Sequence, residues 1–116
     1  MGIDIKPAQA LRLLYRNAML QAHHPGSDLT ARQTAILLTI YLDPPPHTVR
    51  GLAEKLQVAK PVVTRALDSM GRMNLLERQR DPNDLRNVLV RRTVEGSLFV
   101  SEMADRLVSE AGALGR

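Results

Sequence analysis

Apolar residues recur at helical spacing over residues 7–24 (PAQALRLLYRNAMLQAHH), where Leu11, Leu14, Tyr15, Ala18 and Ala22 fall on one stripe. Pro7 suits a first-turn position, and His24-Pro25-Gly26-Ser27 supplies breakers that end the helix. A second helix is expected from Leu29-Thr30. Thr30 can accept from free amides and Gln33 can return the bond, and Ala35, Ile36, Leu38, Thr39 and Leu42 then run to the stop at Pro44-Pro45-Pro46. Two short helices follow. Thr48 caps Val49–Leu56, with Leu52, Ala53 and Leu56 inward. A tight turn at Gln57-Val58-Ala59 then leads into a helix over Lys60–Met73, with Val63, Leu67 and Met70 on its buried stripe. Lys60, Pro61, Thr64, Arg65 and Asp68 are left facing outward, and Asn74 can take the left-handed conformation that ends a helix.

Beyond Asn74 the period changes. Leu75–Arg80 and Asn87–Arg92 read as two strands joined by the turn-rich loop 81–86 (DPNDLR). Thr93 starts a last helix over 93–115, whose Leu98, Phe99, Met103, Leu107, Ala111 and Leu114 form a long apolar edge. An edge of that kind on a terminal helix calls for a covering surface, its own core or a second subunit. The expected fold is one domain over 1–116, mainly α with a small β-hairpin. Helix, tight turn, helix and basic hairpin over 48–93 make it a winged helix-turn-helix.

Composition narrows the chemistry. With 44% apolar residues the chain is globular, and its three aromatic residues, Tyr15, Tyr41 and Phe99, leave the core to aliphatic side chains. So few rings also argue against a base-stacking platform for single strands. The absence of cysteine excludes disulfides and thiolate metal sites and makes a reducing cytoplasm the expected compartment. No apolar run approaches the ~20 residues of a bilayer span. Met1–Pro7 lacks signal-peptide character, and Lys6 stands where a myristoylation motif needs Ser or Thr.

Charge is unevenly placed. Between Thr48 and Thr93 ten basic residues stand against five acids, a surplus of +5, so the other residues carry −1 of the +4 total. Positive charge concentrated in part of a small domain suits a polyanion. The second helix of a helix-turn-helix fits the major groove of duplex DNA. Lys60 beside the free amides suits a phosphate, Val62 or the methyl of Thr64 suits a thymine methyl, and Arg65 reaches a base edge or phosphate. Arg65 can instead pair with Asp68 or a hairpin carboxylate. Arg86 can enter the minor groove, where negative potential is enhanced, and can also bond Asp84 and stiffen the loop. Lys60, Pro61, Val62, Thr64 and Arg65, with Arg78, Arg80, Asn83 and Arg86 of the hairpin, are the expected DNA-binding residues.

LTARQTAIL (29–37), TVRGLAEKLQVAKPVVTRALDSM (48–70), LLERQRDPNDLR (75–86) and RRTVEG (91–96) resemble the MarR family of bacterial regulators, Asp84-x-Arg86 matching its wing signature. The resemblance implies a dimer built on the N- and C-terminal helices, a partly palindromic operator, wings that read the minor groove, and often relief of binding by a small aromatic or anionic ligand. Ala59 departs from the family's usual capping Ser and Asn74 from its usual Gly. The sequence stops at Arg116, short of the family's extra C-terminal helix, so dimerisation is expected to rest on the first and last helices.

No catalytic constellation, zinc-protease motif, phosphate-binding glycine loop or serine elbow is present. His23 and His24 are adjacent, which cannot turn both rings to one metal, and His47 reads as a loop residue; no metal or cofactor is expected. The leading expectation is a cytoplasmic, sequence-specific DNA-binding repressor acting as a homodimer on an inverted repeat. An effector is expected between the terminal helices and the winged unit. The alternative is a winged-helix protein-interaction or architectural module whose basic face is incidental.

Overall fold

The computed structural model describes residues 2–23 and 28–114. In chain order the elements are α1 (Pro7–His23), α2 (Ala31–Leu42), β1 (His47–Thr48), α3 (Val49–Leu56), α4 (Lys60–Arg72), β2 (Leu76–Arg80), β3 (Val88–Arg92) and α5 (Val94–Gly112). Residues 30–100 form one compact unit, and residues 1–29 with 101–116 form another. The expected breaker run His24–Ser27 lies outside the described residues.

Local chemistry sets the helix starts in the first unit. The Thr30 hydroxyl accepts from the Gln33 amide at 3.1 Å, and the Gln33 side chain accepts from the Thr30 amide at 2.9 Å, closing the anticipated capping box. Thr48 caps α3 by accepting from the Gly51 amide at 2.9 Å. The helix ends through Gln57, held at a φ of 56°, a left-handed conformation that the sequence did not announce. Asn74 takes the same conformation after α4, with a φ of 59°, as expected of it.

The core lies between α2, α3, α4 and the sheet. Ile36, Leu37 and Ile40 from α2, Leu52 and Ala53 from α3, and Val63, Ala66, Leu67 and Met70 from α4 are buried with Leu75, Leu76 and Val90. Each large side chain so buried contributes about 1.5–3 kcal/mol. The face of α2 differs from the run the sequence suggested: Leu37 and Ile40 are buried, whereas Ala35 and Leu42 are exposed. Leu56 of α3 is only half-buried.

The sheet has three strands in the order β1-β3-β2, all antiparallel. The two-stranded wing was expected; β1 was not. His47, read from sequence as a loop residue, pairs with Val90 and is buried, its Nε2 donating to the Asp43 carbonyl at 3.1 Å. A two-residue strand carries no period, so only its partner reveals it. The start of α5 is fastened to this unit through Tyr41, whose hydroxyl donates to the Leu75 carbonyl at 2.8 Å and accepts from the Thr93 amide at 3.1 Å. Thr93, expected to start the last helix, accepts from the Gly96 amide at 2.9 Å and so caps it.

In the second unit α1 has no buried residue; Leu11, Leu14 and Tyr15 are 69%, 66% and 56% exposed. Its apolar stripe exists as predicted but is uncovered. Arg16 reaches Glu110 of α5 at 3.0 Å.

Candidate nucleic-acid interface

The candidate interface starts at the first turn of α4. Ala59 occupies the cap position with extended backbone (φ −71°, ψ 149°) and offers no side-chain acceptor, so the amides at this end have no side-chain cap. Lys60 and Pro61 follow and are exposed, Pro61 fitting the first turn because no intrahelical bond is lost there. Val63, Ala66, Leu67 and Met70 sink the opposite side of α4 into the core, which leaves Arg65 exposed and Val62, Thr64 and Asp68 at its half-buried flanks. The outward face of α4 is thus fixed by the burial of its other face.

The wing is tied to this helix. Arg78 on β2 forms an ion pair with Asp68 on α4 at 2.6 Å. In a strand alternate residues share a face, so Leu76, Arg78 and Arg80 lie on the side of the sheet turned toward α4, and Glu77 and Gln79 lie on the other. Arg78 holds Asp68, and among the described residues Arg65 pairs neither with Asp68 nor with a hairpin carboxylate. The side chains of Arg65 and Lys60 make no ion pair or hydrogen bond among the described residues.

Turn bonds close the wing tip. The Asp81 amide donates to the Asn87 carbonyl at 3.0 Å, the Asn83 amide to the Asp81 carboxylate at 2.8 Å, and the Asn87 amide to the Asp84 carbonyl at 2.9 Å. Arg80 donates to the Leu85 carbonyl at 2.6 Å. Arg86 forks onto the Asp84 carboxylate, Nε at 3.1 Å and Nη2 at 3.3 Å, and its backbone amide donates to the same group. The bonds from Arg86, joined by the charge of Arg50, hold the Asp84 carboxyl below its ordinary value of 3.8. The structure therefore gives Arg86 the bracing role weighed from sequence, and leaves its outer edge exposed at the tip together with Asn83.

Arg50 is a candidate residue that sequence reasoning passed over. It stands at the start of α3, exposed, and its charge is felt by Asp84 at the wing tip. The pairing of β1 with β3 sets α3 beside the wing, and a strand too short to read hid the neighbourhood. Three other cations counted in the basic surplus lie elsewhere. Arg92 donates to the Ile40 carbonyl at 2.8 Å and lies over the Tyr41 ring at 5.6 Å, satisfying the end of α2. Lys55 pairs with Asp43 at 2.7 Å. That bond holds the Asp43 carboxyl below its usual range. Arg91 projects from the sheet face opposite Arg78, across from Glu77. Among the described residues no group of His, Asp and Glu side chains is arranged to hold a metal ion.

Two helices packed through a tight turn, with a hairpin fastened to the second of them, define a winged helix-turn-helix protein. The sequence pattern of the MarR family matches residues 29–88, and the chain belongs to that family. Solved structures agree on the fold. A mutant form of MepR from S. aureus is similar with a TM-score of 0.75 at 20% identity, over 96% of this chain and 83% of that one. The S. aureus MepR–DNA complex matches with a TM-score of 0.70 at 20% identity, over 91% and 81%. The PcaV transcriptional regulator from Streptomyces coelicolor, in complex with its natural ligand, matches at 0.65 and 25% identity, over 95% and 79%. No curated protein sequence matches the chain. No helix of the described residues is long and apolar enough to cross a membrane.

Proposed function

We propose that this protein binds duplex DNA as a homodimer at an inverted-repeat operator and represses transcription from it, in the cytoplasm and without catalysis. The observation that carries the reading is the state of α4. Its outward Lys60 and Arg65 have no intramolecular partner among the described residues, whereas nearby cations that serve the fold are all engaged. Lys60 suits a phosphate and Arg65 a guanine edge or phosphate in the major groove. The wing, braced through Arg78 and Asp68, carries Arg86 and Asn83 toward the adjoining minor groove, and Arg50 reinforces the positive field there. Membership of a family of transcription regulators supports the same assignment, as does the likeness to a regulator solved on DNA.

The uncovered apolar stripe of α1, a 17-residue helix, supports the dimer, since helices in water draw most of their stability from a packed face. Control by a small aromatic or anionic effector belongs to the same reading. A groove of about 350 Å³ within the second unit, lined by Arg12, Tyr15, Arg16, Met19 and Glu110, offers an aromatic wall and the Arg12 guanidinium, Arg16 being paired with Glu110.

Selection of bound duplexes from a random pool tests the proposal. A symmetric site bound at nanomolar concentration is expected, with log affinity falling against log salt by about 0.9 per neutralised phosphate. Arg65→Ala with Arg86→Ala is expected to abolish operator binding without unfolding the protein, both side chains being exposed. Micromolar binding with no preference over random duplex would favour a protein-interaction module instead.

A further inference from the structure

The wing tip carries an apolar side chain that its own fold does not use. Leu85 is 64% exposed, between Asp84 and Arg86 at the end of the hairpin. An isolated exposed leucine on a mobile loop would mean little. This one is held. Its carbonyl is bound by the Arg80 guanidinium at 2.6 Å, its predecessor is bonded through both backbone and carboxylate, and its successor is forked onto that carboxylate. The bracing around it prevents the side chain from being retracted by reshaping the turn at no cost in bonds.

We infer that Leu85 is a specificity-determining residue, excluding guanine from the base pairs beneath the wing by touching the floor of the minor groove. The inference rests on the proposed DNA-binding reading and deepens it. In the minor groove A·T and T·A pairs present only acceptors, whereas G·C adds the guanine 2-amino group, which stands up from the floor. A leucine side chain has no acceptor to offer that amino group and takes the volume that water would need to bond it. The groove is about 6 Å wide, so a braced hairpin cannot slide aside within it. Arg86 supplies attraction to the negative groove, and Leu85 supplies the rejection that attraction alone lacks.

The experiment uses the best duplex that wild-type protein selects, with the wing-contacted base pairs located by hydroxyl-radical footprinting and then set to A·T, G·C or inosine·C. Inosine lacks the 2-amino group and otherwise pairs as guanine does. Wild-type protein is expected to bind the A·T and inosine duplexes alike and the G·C duplex about ten-fold more weakly, the usual scale of one disfavoured base pair. Leu85→Ala is expected to bind all three within about two-fold of one another, and Leu85→Ile to keep the G·C penalty. An unchanged penalty in Leu85→Ala overturns the inference, as does rejection of inosine equal to that of guanine; either leaves the DNA-binding reading standing. Failure of wild-type protein to select any duplex overturns that reading first, and this inference with it.

Discussion

Gly96 sits at the first turn of α5, where an added Cβ would collide with the Tyr41 hydroxyl and the Leu75 carbonyl. Those two groups are already hydrogen-bonded to each other, so neither can give way without breaking the link between α2, β2 and the start of α5. Gly96→Ala is therefore expected to destabilise the fold by about 1–3 kcal/mol in urea melts, despite alanine's better helix propensity. Asp84 illustrates electrostatics at the same scale. Its carboxyl is held below the ordinary 3.8, first by the Arg86 side-chain bond. The brace is therefore complete above that value and is lost as the pH falls through the lowered one. Carboxyl NMR is expected to show Asp84 less protonated than a free aspartate at about pH 4, and Arg86→Ala to move its midpoint upward. A midpoint unchanged by that substitution would mean the fork is not formed in solution.

Among α2, α3, α4 and α5, α4 is the one whose start lacks a side-chain cap. Thr30 and Thr48 cap α2 and α3, and Thr93 bonds the Gly96 amide at the start of α5, whereas Ala59 offers α4 no oxygen. Ala59→Ser adds the missing acceptor at a position that already has extended backbone, and is expected to raise stability by about 0.5–2 kcal/mol in thermal or denaturant melts. A serine that leaves stability unchanged would show that neighbouring water already satisfies those amides. The wing is the other element with a local logic. Its attachment to α4 is a single exposed-edge pair, Arg78–Asp68, so the angle between helix and hairpin rests on one salt bridge added to the burial of Leu76 and Val90.

At the scale of the whole molecule, the exposed face of α1 is the feature that bears on assembly. Leu11, Leu14 and Tyr15 expose an apolar stripe of α1 to solvent, the kind of face a helix ordinarily buries. Sedimentation is expected to give a dimer, and Leu11→Glu with Leu14→Glu to give monomers with much weaker operator binding. A wild-type monomer at micromolar concentration would remove the dimer from the proposed function.

Much of this could be read from residue order alone, because it depends on neighbours three or four positions away. The capping box at Thr30, the cap at Thr48, the buried stripe of Val63, Leu67 and Met70, the left-handed Asn74 and the hairpin are all local consequences of side-chain chemistry. Contacts between distant segments were decided by tertiary structure. Strand β1 exists only because β3 lies beside it, Asp68 is taken by Arg78 rather than Arg65, and Arg92 turns inward to the end of α2 while Arg50 comes up to the wing. Periodicity tells which face of an element is apolar. Which opposite charge a given arginine meets depends on how those faces pack, and that is settled only when the chain has closed on itself.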